Sequence, residues 1–156
     1  MEPLTGTCNH SQLTLHHVGF ACSTIEAGLQ FVTKLFDVKA VTAAVFDPFQ
    51  NATVCMIETA NGLSIELVVG QAVGRLLDRG VSLYHLAYSV NNIDEAIRNF
   101  AKAGGRQIGE VVPAKLFSGA RVCFLQTPLG MVELVESVSG IEPGNAVVEE
   151  DAVAPE

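Results

Sequence analysis

The chain has 156 residues, 49% of them hydrophobic and 17% charged, which is enough for one globular domain with a substantial core. Most of the formal net charge of −8 comes from acids beyond residue 140, and the nearly balanced remainder argues against nucleic acid as a partner. No apolar run reaches the ~20 residues that span a bilayer, no secretory leader is visible, and four cysteines without a CxxC pair favour a reduced, cytoplasmic protein.

The first half predicts a strand, a helix and three further strands. Residues 14–22 have the pattern of a strand, and Ser23 with Glu26 predicts a helix N-cap with a capping box. The helix that follows has one apolar stripe, formed by Ile25, Leu29, Val32 and Phe36. The β-rich runs 38–46, 52–59 and 63–69 predict the three remaining strands, with a hairpin signal at Asn61-Gly62.

The second half repeats this order after a connection at 71–82 that has room for one or two helical turns. Residues 83–90 predict a strand, and Asn91 with Asp94 predicts the next N-cap. A helix stripe follows, and the runs 106–112, 120–126 and 131–135 supply three strands. We therefore predict one domain over 13–137, made of module one (13–70) and module two (83–137). A polar lead-in (1–12) and an acidic, disordered tail (138–156) flank this domain.

The repeat places a histidine and a glutamate at matching positions of both halves. A shift of 68 residues brings His17 onto His85, and a shift of 67 brings Glu66 onto Glu133. A glutamate in the centre of an apolar strand is costly to bury without a cation, so the four residues together predict one divalent metal site. Cobalt, nickel, manganese, zinc and iron remain equally possible. Strand alternation points His16 away from His17, so we interpret His16 as an exposed or edge residue.

Four segments of the chain together resemble the vicinal oxygen chelate superfamily, which includes glyoxalase I, methylmalonyl-CoA epimerase, extradiol dioxygenases and the fosfomycin and bleomycin resistance proteins. They are Leu15-His-His17-Val-Gly-Phe, Leu63-Ser-Ile-Glu66-Leu-Val, Leu83-Tyr-His85-Leu-Ala-Tyr-Ser-Val and Gly130-Met-Val-Glu133-Leu-Val-Glu. The resemblance implies an α+β fold in which two repeated βαβββ modules form an incomplete barrel around a metal site. It also implies that the metal ligands are His17, Glu66, His85 and Glu133.

Within that superfamily, residues 47–50, 84–96 and 119–124 are most similar to the methylmalonyl-CoA epimerase type. Two positions depart from the epimerase pattern. Val54 stands where the pattern has a second catalytic glutamate, and Glu66 stands where it usually has glutamine. The ligand order His, Glu, His, Glu is instead similar to that of bacterial glyoxalase I.

The chemistry shared by these enzymes is removal of a proton beside a carbonyl group, with the metal acting as a Lewis acid. With Val54 in place of an acid, we hypothesise that Glu133 is the principal base and Glu66 its partner. One alternative is a metal-dependent dioxygenase using His17, His85 and Glu133, although Glu66 would fill a position that such sites leave open. The other alternative is a non-catalytic protein that binds a drug or metabolite on the same fold.

Residues expected to contact a small carbonyl or thioester substrate lie outside the four-residue set. They are Gln50 in the Pro-x-Gln turn and the basic residues Arg121 and Lys115, with Arg75 as a further candidate for a phosphate tail. We expect a homodimer that binds neither nucleic acid nor membranes. The sequence leaves open whether each site is built within one chain or across two.

Overall fold

Two similar units lie side by side in the computed structural model, which describes residues 13–137. The predictions for the lead-in and the acidic tail lie outside the described residues. The first unit contains β1 (Thr14–Ala21), α1 (Ile25–Leu35), β2 (Val38–Val41), β3 (Val45–Asp47), β4 (Ala52–Thr59) and β5 (Ser64–Gly70). After α2 (Gln71–Leu77), the second contains β6 (Leu83–Val90), α3 (Ile93–Lys102), β7 (Arg106–Ala114), a short 3₁₀ helix (Lys115–Phe117), β8 (Ala120–Thr127) and β9 (Gly130–Glu136).

All nine strands belong to one curled sheet that does not close. Its order is β2-β4-β5-β1-β6-β9-β8-β7, and β3 pairs with β4 beside β2. The first strand of each module pairs in parallel with the last strand of the same module, and the two first strands, β1 and β6, pair antiparallel at the centre. The prediction of an α+β fold with two modules in an incomplete barrel is therefore confirmed.

The two main helices cover the outer face of the sheet, each over its own module. In module one the apolar stripe of α1 packs on Cys55, Ile57 and Leu67, and in module two α3 packs on Cys123, Leu125 and Leu134 through Ile93 and Ala96. Burial of these apolar faces stabilises the fold. The inner face carries the histidines and glutamates.

Both helices begin one residue later than predicted. The N-cap of α1 is Thr24, whose hydroxyl oxygen accepts a hydrogen bond from Ala27 N at 3.1 Å, and not Ser23. The N-cap of α3 is Asn92, whose side-chain oxygen accepts from Glu95 N at 2.9 Å, and not Asn91. Each helix is preceded by two adjacent residues that are both good caps, so the sequence pattern alone does not choose between them.

The run 38–46 is likewise two strands where one was predicted. Thr42 interrupts it, because its backbone N–H donates to Met56 O while its hydroxyl oxygen accepts from Met56 N. Among residues 13–137, no helix has the length and apolarity needed to cross a membrane.

Candidate metal centre

The four central strands each contribute one polar side chain to the inner face of the sheet. His17 is on β1, Glu66 on β5, His85 on β6 and Glu133 on β9. The register explains why they meet. Gly19 lies opposite both Glu66 and His85, and Ala87 lies opposite both His17 and Glu133. A small residue in each first strand therefore leaves room for one carboxylate and one imidazole beside it.

The four side chains approach one another closely within a single chain. His17 Nε2 lies 2.9 Å from His85 Nε2, 3.1 Å from Glu133 Oε2 and 3.5 Å from Glu66 Oε2. His85 Nε2 lies 3.4 Å from the Oε2 atoms of both glutamates. All four residues are buried, with exposures of 0–2%.

Hydrogen bonding alone does not satisfy this cluster. Both carboxylate oxygens of Glu133 and the Nδ1 atom of His85 are buried without a hydrogen-bond partner. Each Nε2 atom carries at most one hydrogen but faces several acceptors. Donor atoms about 2.0–2.2 Å from one ion would lie roughly 3 Å apart when adjacent, as these atoms do. The donor set of two imidazoles and two carboxylates therefore fits one divalent transition metal, and the four residues could hold such an ion.

Without a metal, the cluster is held by opposite charges. Burial lowers the pKa of His17, but the adjacent carboxylates of Glu133 and Glu66 outweigh burial and raise this pKa to about 9. For Glu133, burial acts to raise the pKa, but the adjacent His17 and His85 outweigh burial and hold it well below its usual range. In the absence of an ion, the two carboxylates therefore favour the protonated form of His17.

His16 is not the exposed or edge residue that strand alternation predicted. It is half-buried, and its Nδ1 lies 2.8 Å from Nδ1 of His17. The reason is a β-bulge. Leu15 pairs with Tyr88, and His17 pairs with the adjacent residue Ala87, so His16 is an extra residue of β1 without a pairing partner in β6. Burial, together with the positive charge of His17, lowers the pKa of His16 to about 4.

A second bulge places Tyr84 in the matching position of module two. Gly19 pairs with His85 but Phe20 pairs with Leu83, which leaves Tyr84 as the extra residue. Its ring contacts His85 edge-on with centroids 4.7 Å apart, and burial raises the pKa of its phenol to about 12. Neither flanking residue was predicted to lie at the site, although the sequence shows an aromatic ring directly before each ligand-type histidine.

Phenylalanine rings cover the cluster. Phe117, from the 3₁₀ helix, lies with its ring centroid 5.0 Å from that of His16 and 5.5 Å from that of His17. Phe124 of β8 lies 5.3 Å from His85. Because the four donors are almost fully covered, a substrate reaches them only if this cover moves.

Gln50 and Lys115 meet at the buried carboxylate of Asp47, which was not among the predicted site residues. Asp47 Oδ1 accepts hydrogen bonds from the backbone N–H groups of Phe49 and Gln50, and its Oδ2 accepts from that of Lys115 at 3.0 Å. The ammonium group of Lys115 donates to Phe46 O. Asp47 thereby joins the turn after β3 to the 3₁₀ helix that carries Phe117.

Arg121 and Arg75 do not join the cluster. Arg121 follows the strand alternation of Cys123 and Leu125, on the helix side of the sheet, and its guanidinium contacts Asp94 at 3.1 Å and Glu136 at 3.3 Å. Contact between Arg121 and a substrate therefore stays a prediction, and it would take place on the helix side of the sheet. Arg75 is exposed on α2.

Val54 lies on the inner face of β4 and is fully buried. It packs in an apolar cluster with Ala21, Val68 and, from α2, Val73. No carboxylate from this position reaches the histidines, so the glutamates at the cluster itself are Glu66 and Glu133.

A curled open sheet with inward-facing histidines and glutamates from two repeats is the architecture of a vicinal oxygen chelate protein. The sequence profile of the Glyoxalase/Bleomycin resistance protein/Dioxygenase superfamily matches residues 16–124. The chain therefore belongs to this superfamily. Among proteins with curated functions, none matches the sequence closely enough to count.

Solved structures with the same fold include methylmalonyl-CoA epimerases. That of Mycobacterium tuberculosis has a TM-score of 0.66 at 19% identity, with 80% of this chain and 87% of that chain covered. A Streptomyces coelicolor epimerase variant in complex with 2-nitronate-propionyl-CoA has a TM-score of 0.61 at 21% identity, covering 82% and 97%. A hypothetical protein of Bacillus halodurans has a TM-score of 0.64 at 25% identity, covering 83% and 98%.

Proposed function

We propose that this protein is a metal-dependent isomerase or lyase that removes a proton from the carbon beside a carbonyl group. The observation that carries the proposal is the buried convergence of two imidazoles and two carboxylates within hydrogen-bonding distance of one another. Membership of the superfamily and the shared fold with methylmalonyl-CoA epimerases support it.

In this proposal His17, Glu66, His85 and Glu133 hold one divalent ion. Such an ion supplies Lewis-acid polarisation of a carbonyl oxygen, worth several kcal/mol of charge stabilisation. The surrounding rings of Phe117 and Phe124 keep bulk water away from the four donors, which strengthens electrostatic interactions between them.

The two glutamates then divide the proton transfers. Each glutamate would take this role after the bound substrate displaces it from the ligand set. Glu133 would then accept the α-proton as a carboxylate, while the electron pair of the broken C–H bond moves into the carbonyl group to give an enolate. Glu66 would deliver a proton to the carbon from the other face. Both carboxylates lie beside the imidazoles, and Val54 offers no acid in their place.

A CoA thioester is the substrate class we propose first. The support is the fold shared with epimerases, one of which holds 2-nitronate-propionyl-CoA. The backbone N–H groups of Gln50 and Lys115 both donate to the Asp47 carboxylate, next to the 3₁₀ helix that carries Phe117. We place the polar tail of the substrate there, with the exposed Lys115 ammonium facing its phosphates. A glyoxalase-type hemithioacetal is the second substrate class, because both chemistries begin with the same proton removal.

We also propose a homodimer. Three leucines lie on the outer face of the two central strands. Each pairs with an outward-facing residue of the other strand: Leu15 with Tyr88, Leu83 with Phe20 and Leu86 with Val18. The exposures of Leu15, Leu83 and Leu86 are 51%, 54% and 37%. A second copy that covered this face would remove the apolar stripe from water. Analytical ultracentrifugation of the parent protein and of Leu83→Glu tests this proposal. We expect a dimer for the parent and a monomer for the variant.

Solvent exchange at the α-carbon tests the proposed chemistry. Metal-reconstituted protein is incubated in D₂O with candidate CoA thioesters and hemithioacetals, and deuterium uptake is followed by mass spectrometry. We expect uptake that Glu133→Gln and Glu66→Gln each slow by at least ~10²-fold, the usual effect of removing a general base. If the metal-loaded parent binds these compounds without exchange, the protein is a binding protein. If both Gln variants exchange as fast as the parent, the glutamates are not the bases.

A further inference from the structure

The two ligand-type histidines have different environments at the nitrogen that faces away from the cluster. Nδ1 of His17 has a partner, Nδ1 of His16, at 2.8 Å. Nδ1 of His85 is buried without any hydrogen-bond partner. The two modules match in their bulges and in the position of the histidine, so this difference comes from the residue before each histidine, which is His16 in one module and Tyr84 in the other.

We propose that His16 is the hydrogen-bond acceptor that fixes the tautomer and ring orientation of His17. The inference rests on the proposed metal site. An imidazole that binds a cation through Nε2 carries its hydrogen on Nδ1. In His17 this hydrogen points to His16 Nδ1, which accepts it with its lone pair while the hydrogen of His16 resides on Nε2. His16 is thus a positioning residue, and it does not itself touch the cation.

Two ring contacts and partial burial hold His16 in place for this role. The bulge turns its ring toward the inner side of the sheet next to His17, with ring centroids 5.0 Å apart and the planes nearly perpendicular. The ring of Phe117 packs against it, also edge-on at 5.0 Å. The partial burial of His16 keeps water from competing for the Nδ1–Nδ1 hydrogen bond. A ligand imidazole usually donates to a carboxylate, a backbone carbonyl or water, and here an imidazole takes that place.

His85 lacks such an acceptor, so the two modules contribute unequally. Tyr84 contacts His85 through the edge of its ring and makes no hydrogen bond with His85 Nδ1. It follows that the affinity for the cation depends on the side chain at position 16 and is insensitive to the hydroxyl group at position 84. Tyr84→Phe is therefore the matched control for substitutions of His16.

The test measures zinc affinity by competition with a chromophoric chelator for the parent, His16→Ala, His16→Asn and Tyr84→Phe. Loss of the acceptor in His16→Ala should weaken binding by about 10–100-fold, as other losses of outer partners do. An asparagine oxygen occupies nearly the same place as Nδ1, so His16→Asn should recover most of the affinity, and Tyr84→Phe should match the parent. In the zinc-loaded parent, ¹⁵N–¹H spectra should show a hydrogen-bonded proton on Nδ1 of His17 that is lost or shifted in His16→Ala.

The outcomes separate the two claims. Zinc binding by His16→Ala with parental affinity, or a His17 ring without a proton on Nδ1, overturns the positioning role while leaving the metal site intact. If the parent binds neither zinc nor cobalt, nickel or manganese in the same competition assay, the proposed metal site fails and the role of His16 fails with it. If His16→Ala does not fold, the comparison of His16→Asn with Tyr84→Phe and the spectrum of the parent decide the question.

Discussion

The imidazole of His85 lies directly over Gly19. A Cβ atom at position 19 would come 2.2 Å from Cε1 of His85 and 2.5 Å from each of its ring nitrogens. Module two has Ala87 at the matching position, opposite His17 and Glu133. The absence of a side chain at one of these two positions is therefore what allows the His85 ring to point into the cluster.

We predict that Gly19→Ala displaces His85 and weakens divalent metal binding by more than the ~10–100-fold typical of outer-partner losses. The ring must move because neither it nor the central strand can accommodate the added methyl group. The matched control is Gly74→Ala in α2, where an added Cβ meets no atom within 4 Å. This control should bind metal normally and gain up to about 1 kcal/mol of stability, since alanine favours helix. Elemental analysis measures the metal content of both variants, and thermal unfolding measures their stability. A Gly19→Ala protein with the metal content of the parent would contradict the prediction.

Metal uptake should release a proton. The pKa of His17 in the metal-free protein is raised to about 9, so the imidazole is protonated at neutral pH and must be deprotonated before it binds a cation. The apparent affinity should rise by about tenfold per pH unit as the pH approaches 9, and then level off. Titration calorimetry in buffers of different ionisation enthalpy counts the protons. An affinity that does not change between pH 7 and 8.5 would show that His17 is already neutral.

The same shift predicts how the stability of the metal-free protein depends on pH. A raised folded-state pKa contributes stability that is fully present below the unfolded value of 6.5 and is lost as the pH rises through about 9. Protein freed of metal with a chelator should therefore unfold more readily at pH 9 than at pH 6.5. His17→Asn should remove most of this dependence, and urea unfolding at the two pH values measures it.

Asp47 should control both stability and access to the cluster. Asp47→Ala leaves the backbone N–H groups of Phe49, Gln50 and Lys115 without their acceptor, at a cost of roughly 1–3 kcal/mol. It also loosens the 3₁₀ helix that carries Phe117, so chelator-driven metal release should become severalfold faster. Asp37→Ala, at an exposed carboxylate, is the control and should change neither property. Release at the parental rate from a correctly folded Asp47→Ala protein would show that access does not depend on this connection.

The sequence repeat made much of the fold predictable, because its two signals can be read without knowing which strands pair. Strand alternation and a fixed offset identified the two modules and the four residues that lie together in the structure. That these residues bind a metal stays a prediction. The position of His16 was predicted wrongly because a bulge depends on how β1 pairs with a strand far away in sequence. Alternation within β1 alone contains no information about that pairing.

Other features depended on contacts that no single segment encodes. The placement of Arg121 is set by two carboxylates, one on α3 and one on β9, so its charge alone did not reveal its side of the sheet. Asp47 directly precedes the Pro-x-Gln turn in the sequence, and nothing in that pattern shows that it accepts a hydrogen bond from the other module. Such features require the packed structure.

The location of the histidines and glutamates on both sides of the β1–β6 pair has a thermodynamic consequence. Each module supplies only one imidazole and one carboxylate, so a bound ion would act as a reversible crosslink between the two halves. Ion binding and the docking of the two modules would then be thermodynamically coupled. A free ion concentration 100 times the dissociation constant would add about 2.7 kcal/mol to the free energy of unfolding. The supply of metal would thereby set the thermodynamic stability of the folded protein as well as its chemistry.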